Sequence, residues 1–376
     1  MKHLFTRALN FKFQYPAFSF FRSRARGAIF VWRFRRERDF IERMMKTQAL
    51  VYEETGKPLE VLKLREIDVP APKADEITIE LEAAVVHPSD MGMIGGTYGR
   101  LRELPAVAGR EGVGRVAAVG ADVKGFAVGD RVRMPEDAGA WRGAITVPAA
   151  EAERVPADVP AELAAMAFIN PQTVWRILHD FVELRPGDWV LQNAGSSALG
   201  QCLVQIARAL GLRTVSLVRN VEKWEPILKK LGADAVLPEE KDSIKKIVEI
   251  VGGKANLPKL ALNSIGGESA ARLTRMVGFA GTIVTFGGMT GDLIRFPTRE
   301  FIFNDLRLRG FWMDRWNRSA SPEARAETSA KIFEMMRAGT LTMAVDATYP
   351  LSEYADAIAR ALEGGRNGKV LFVAGA

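Results

Sequence analysis

The chain has 376 residues, 48% hydrophobic and 26% charged, which excludes a disordered polymer and predicts two or three domains. A single cysteine, Cys202, excludes an intrachain disulfide and a cysteine-rich zinc site, and no apolar run reaches the roughly 18 residues of a membrane span. The net charge of +7 invites a nucleic-acid or membrane partner, yet residues 1–44 hold eleven Lys/Arg against three Asp/Glu, while the other 332 residues hold 41 against 42.

The basic excess therefore belongs to the leader. It has no acid before Glu37 and interleaves arginines with Phe18, Phe20, Phe21, Trp32 and Phe34. Three readings are open, and a disordered segment is expected in each. One is an upstream translated extension, with the start at Met44 or Met45 and a cytoplasmic protein. The second is a mitochondrial presequence, which is Arg-rich and acid-poor but would also be Ser-rich and uninterrupted by Pro16. The third is an arm for a membrane surface or nucleic acid. A secretory signal is excluded, because the stretch lacks a continuous apolar core and a small-residue cleavage site.

From Met45 to about residue 160 the pattern predicts strands and turns: a strand opening at Met45–Tyr52, another at Glu76–Val86, then Gly112–Val119 and Arg131–Arg133. Beyond it, helices are predicted at 160–166 and 173–181. Strands at 189–193, 213–218, 235–237, 259–262, 282–286 and 306–310 then alternate with helices at 198–210, 221–231 and 243–251. Such alternation predicts a doubly wound parallel sheet. The tail adds a helix near 353–363 and a strand at 369–373.

Within this alternation, Val190–Gly200 reads as strand, tight turn of small residues, then helix, which is what a pyrophosphate needs at a helix N-terminus. Gly195 and Gly200 fit the first and third glycines of the dinucleotide fingerprint, and Ser197 holds the second place. At the end of the next strand, where an NAD site would have an acid on the ribose hydroxyls, stands Arg219. A cation there suits a 2′-phosphate and favours NADP(H). His87 and Glu111 are candidate metal ligands, but no cysteine accompanies them and Arg110 adds a cation beside them, so no metal is expected. Cys202, inside the first helix of this fold, is expected to be core packing.

Several segments then carry a family likeness: His87-Pro88-Ser89-Asp90, Gly95-Gly96-Thr97-Tyr98-Gly99, Glu111-Gly112-Val113-Gly114, Asn170-Pro171-Gln172-Thr173, Asn263-Ser264-Ile265-Gly266-Gly267, Phe286-Gly287-Gly288-Met289 and Gly310-Phe311-Trp312. Through them the chain from Met45 onward resembles the medium-chain dehydrogenase/reductase superfamily, and within it the zinc-free 2-enoyl thioester reductases. The resemblance implies a GroES-like catalytic domain from 45–165 and 345–376, and a Rossmann NADP-binding domain from 166–344. It implies Tyr98 as proton donor and Asn170 and Thr173 along the cofactor. It places Ser196, Ser197, Ala198 and Leu199 at the pyrophosphate, and Arg219 with Asn220 at the 2′-phosphate. It sets Phe286, Gly287, Gly288, Met289, Phe311, Trp312 and Met313 near the nicotinamide and substrate, and Lys369 on the cofactor. It also implies NADPH as cofactor, an enoyl-CoA or enoyl-carrier-protein substrate in fatty acid synthesis, and a homodimer. His87 departs from the family, which usually has Asn there.

The chemistry asks for these residue types. Hydride addition to Cβ of an unsaturated thioester leaves enolate charge, which needs hydrogen-bond donors and a proton at Cα. A phenol, with its ordinary pKa of about 10, is still protonated at neutral pH and can supply both. Trp312 and Trp316 are candidates to line an acyl tunnel. Two alternatives stand beside this reading: a quinone or enone reductase on the same fold, and a non-enzymatic nucleotide-sensing or nucleic-acid-binding protein using the basic leader.

Overall fold

The change of pattern near residue 160 marks a change of sheet. The structure, a computed structural model, describes residues 44–375, so the expectations for the leader fall outside the described residues, Met44 apart. In the first sheet Lys369–Val373, Glu76–Val85, Gly112–Val119 and Arg131–Arg133 are successive antiparallel neighbours. Ala144–Pro148 also pairs with Glu76–Val85, and Val345–Tyr349 lies parallel to Lys369–Val373 at the edge. A three-stranded sheet, Lys63–Val69, Met45–Tyr52 and Ala106–Val107, closes over the same core, where Leu50 and Tyr52 meet Ile77, Ile79, Trp141 and Phe372. The chain thus leaves this lobe after residue 160 and comes back to it with its last two strands.

Between departure and return lie six parallel strands. Their order is Ala235–Pro238, Arg213–Val218, Trp189–Gln192, Leu260–Asn263, Thr282–Thr285, Arg307–Gly310. Helices cover both faces of such a sheet, so its strands read as short unbroken apolar runs. Val190, Leu191, Val215, Leu260, Ala261 and Ile283 are all fully buried. Trp189–Gln192 and Leu260–Asn263 are neighbours although they are first and fourth in chain order. The strand order reverses there, which opens a crevice at the strands' carboxyl ends.

Most expected elements stand within two residues of their predicted places. One helix starts three residues earlier than its apolar periodicity implies, at Asn170–Asp180. Its first turn is set by Pro171, whose φ is already helical, and by the Glu111 carboxylate, which accepts the N–H groups of Phe168 and Ile169 at 2.7 Å. The pattern predicts no helix at Pro322–Arg337, which is 16 residues long. Its buried stripe is Thr328, Ser329, Ile332, Phe333 and Met336, and two hydroxyls in five blur the apolar period.

Candidate active site

Tyr98 follows the short helix Pro88–Ile94. The Gly92 carbonyl accepts the N–H groups of both Thr97 and Tyr98, at 2.8 and 3.1 Å, and folds the loop back on the helix end. Gly96 permits that turn with φ of +75°, a conformation L side chains avoid. The loop packs on Trp312 so closely that a Cβ on Gly99 would stand 3.2 Å from the indole.

The Tyr98 oxygen accepts two hydrogen bonds, from Arg110 Nη1 at 2.5 Å and from Trp312 Nε1 at 2.8 Å. The two rings meet edge to face, 5.7 Å apart at 76°, and the Arg110 guanidinium lies 4.7 Å from the Tyr98 ring centre. Arg110 is buried and its Nη2 is paired with Glu136, which also faces Arg133 at 3.4 Å. Burial pushes the Tyr98 phenol above its ordinary range, while Arg110 and the Trp312 N–H pull it back. The phenol is protonated at neutral pH.

Beneath this loop lies a buried chain of charge. His87 Nε2 meets Glu111 Oε2 at 2.5 Å, and Lys369 Nζ meets His87 Nδ1 at 2.9 Å. Burial holds His87 below its ordinary pKa, with the Lys369 charge adding to it, so the imidazole is neutral. The ammonium donates to Nδ1, which leaves the ring proton on Nε2 to donate to Glu111. Burial alone would raise Glu111, but His87 and the N–H groups of Ile169 and Phe168 outweigh it and hold the carboxyl low. Burial draws Lys369 down to about 8, against the pull of Glu111. Both ring nitrogens of His87, the candidate metal ligand of the sequence, are thus engaged by protein groups. Lys369, expected at the cofactor, turns its Nζ into this network. Cys202 is fully buried, with its thiol pushed up to about 12, as core packing requires.

At the strand-order reversal the turn after Trp189–Gln192 passes Gly195, where a Cβ would sit 2.7 Å from that of Ser216. Ser197, in the fingerprint's second place, caps the helix Ala198–Ala209 by accepting the Gly200 N–H at 3.0 Å. The amides of Ala198 and Leu199 have no carbonyl a turn earlier to bond and are open to an anion. Side-chain amides tie the strand ends together: Asn193 Nδ2 donates to Asn263 Oδ1 at 2.7 Å, and Asn263 Nδ2 to Thr285 Oγ1 at 3.0 Å. Arg219 is exposed at the end of Arg213–Val218 and pairs with no carboxylate among the described residues. Asn220 caps the next helix, Val221–Leu231, through the Lys223 N–H. Open amides, a close-approach glycine and an unpaired cation fit a dinucleotide carrying a 2′-phosphate.

Of the other expected site residues, Asn170 and Thr173 are buried in the first turn of their helix. Phe286 and Gly287 leave strand Thr282–Thr285 half-buried, whereas Gly288 and Met289 are exposed. Phe311 packs edge to face on Phe181, 5.9 Å away, and Met313 is buried at the start of a helix. Trp312 is brought directly onto Tyr98. Trp316 lies instead under the Arg176 guanidinium, at 4.9 Å. The Arg110 contact with Tyr98 and the Lys369–His87 contact are the links sequence reasoning missed. For Arg110 the available signal was a cation directly beside Glu111 in the sequence.

The chain matches the "Alcohol dehydrogenase GroES-like domain" over residues 73–156 and the "Zinc-binding dehydrogenase" family over residues 198–329. It is 39% identical over 318 residues to the mitochondrial enoyl-[acyl-carrier-protein] reductase of Homo sapiens, covering 83% of this chain and 85% of the human protein. It is 36% identical to the protein of that name from Arabidopsis thaliana, covering 84% and 85%. Among solved structures, that of the Etr1p/NADP/crotonyl-CoA complex superposes with a TM-score of 0.79 at 27% identity, covering 88% of this chain and all of that one. A mycobacterial quinone oxidoreductase superposes with a TM-score of 0.73 at 29% identity, covering 87% and 99%.

Proposed function

The chain belongs to the mitochondrial enoyl-[acyl-carrier-protein] reductase family, the zinc-free enoyl thioester branch of the medium-chain dehydrogenases/reductases, and we propose that it reduces the 2,3 double bond of trans-2-enoyl thioesters with NADPH. The observation that carries this reading is a protonated phenol whose oxygen is held by two N–H donors beside a dinucleotide crevice. The nicotinamide, when bound, supplies the hydride that adds to Cβ. Tyr98 donates a hydrogen bond to the enolate that develops, and its O–H proton passes to Cα. A phenolate remains on Tyr98 and regains its proton from water.

The open amides of Ala198 and Leu199 hold the pyrophosphate, Arg219 the 2′-phosphate, and Asn170, Thr173 and Phe286 to Met289 the nicotinamide side. The guanidinium of Arg219, which pairs with no carboxylate among the described residues, supports NADPH over NADH. The thioester is carried by CoA or by acyl carrier protein, as the relatives' names suggest, and the protein works in fatty acid synthesis as a homodimer. We divide it into a catalytic lobe of residues 45–165 and 345–376 around a nucleotide lobe of 166–344. The human and Arabidopsis reductases are both called mitochondrial, and with the Arg-rich, acid-poor leader this supports a mitochondrial protein over the cytoplasmic reading.

NADPH oxidation against a ladder of 2-enoyl-CoA chain lengths, with a small quinone in parallel, tests the function. The expected result is turnover of enoyl-CoA substrates well above that of the quinone. A quinone consumed faster than every enoyl-CoA would move the chain to the quinone reductases, a reading favoured by the superposition on the mycobacterial enzyme.

A further inference from the structure

The reaction as described gives Arg110 no part, yet its guanidinium is buried against the reacting phenol. A phenol oxygen has one proton to give and two lone pairs to offer. Arginine and the tryptophan indole are donors only. Both contacts at Tyr98 must therefore be bonds that its oxygen accepts, and the hydroxyl proton can be given to neither partner. It points away from both. We propose that Arg110 is a positioning residue of the proton transfer: it fixes the Tyr98 oxygen as an acceptor, so that the O–H is left for the substrate, and it balances the phenolate once the proton has gone. The proposal rests on the reading of Tyr98 as proton donor.

The charges around the phenol set how strongly Arg110 acts. Glu136 is bonded to Arg110 Nη2 and neutralises part of its charge, while Arg133 and Asn317 approach the other carboxylate oxygen of Glu136 at 3.4 and 3.5 Å. Asp90, buried in the helix before the loop, faces Arg110. On the far side Arg318 lies 5.6 Å over the Trp312 ring and is paired with Asp314, which also holds Arg100. Arg110 lowers the pKa of the phenol and Glu136 raises it, so the two residues act on Tyr98 in opposite directions. That opposition separates an electrostatic role from a merely structural one.

The test compares Arg110→Gln, Arg110→Lys, Glu136→Gln and Tyr98→Phe in the full chain, with crotonyl-CoA and NADPH. Arg110→Gln is expected to lower kcat about tenfold or more with little change in KM or NADPH Kd. It should raise the solvent deuterium isotope effect on kcat and move the alkaline fall of kcat to higher pH. Arg110→Lys should restore most of the loss, and Glu136→Gln should move the alkaline fall to lower pH. If Tyr98→Phe loses activity while neither Arg110→Gln nor Glu136→Gln moves the pH profile, the role of Arg110 is overturned. If Tyr98→Phe keeps its kcat, the reading of Tyr98 itself fails instead. Thermal unfolding checks each variant. Should Arg110→Gln not fold, an alkaline limb that Glu136→Gln leaves in place overturns the proposal.

Discussion

Arg219 shows how much one side chain decides. It stands exposed where the strand Arg213–Val218 ends, and Asn220 beside it is occupied in capping a helix. A guanidinium offers a phosphate two parallel N–H donors, and hydrogen bonds to charged groups contribute about 1.5–3 kcal/mol. Arg219→Ala should therefore weaken NADPH by roughly tenfold to a hundredfold and leave NADH nearly unchanged. Fluorescence titration of both cofactors measures this, and equal losses would remove the 2′-phosphate from Arg219. Tyr98 is the converse case, a residue whose chemistry depends on what its neighbours donate.

The turn from Trp189–Gln192 into Ala198–Ala209 is the element on which the proposed cofactor binding rests. It approaches strand Arg213–Val218 so closely at Gly195 that an added Cβ would collide with Ser216 at 2.7 Å. The obstacle is itself a Cβ and cannot swing aside, so the turn would have to retreat. Overpacking of this kind costs about 1–3 kcal/mol, so Gly195→Ala should raise the NADPH Kd roughly tenfold or more. Unchanged NADPH affinity in a folded Gly195→Ala variant would show that the turn does not carry the pyrophosphate. This element was legible in the sequence because strand, small residues and helix are contiguous. Ser197 was legible only as an imperfect glycine match, since its role as a helix cap depends on where the helix starts. The contacts of Arg110 with Tyr98 and of Lys369 with His87 were not legible: one crosses an irregular loop, and the other joins residues 282 positions apart. Periodicity reports which face of an element is buried and is silent on which side chains converge from separate elements.

Across the whole molecule, the buried His87–Glu111–Lys369 chain joins three distant segments, and Glu111 further grips the backbone where the chain enters the nucleotide lobe. Lys369 titrates near 8 in the fold against 10.5 when unfolded. Between those values the unfolded chain binds more protons, so this group adds stability as pH rises from about 8 to 10.5 and none of that gain is present below 8. Urea unfolding at pH 7.5 and 10 should show the stability difference between the natural chain and Lys369→Met growing by roughly 2–3 kcal/mol in favour of the natural chain. Curves that stay parallel would mean the ammonium is not held in a desolvated place. The return of the chain to its first lobe has a consequence for biosynthesis. Leu371 pairs with Val85, 286 residues earlier, so the first sheet waits for the last strand to be made. At about 5–20 residues per second, that interval is roughly 15–60 s, during which the Ala83–Val85 end of the Glu76–Val85 edge, beyond the part paired with Ala144–Pro148, stays open and must be kept from pairing with other nascent chains. The six parallel strands, all made before that last strand, can pair in the meantime.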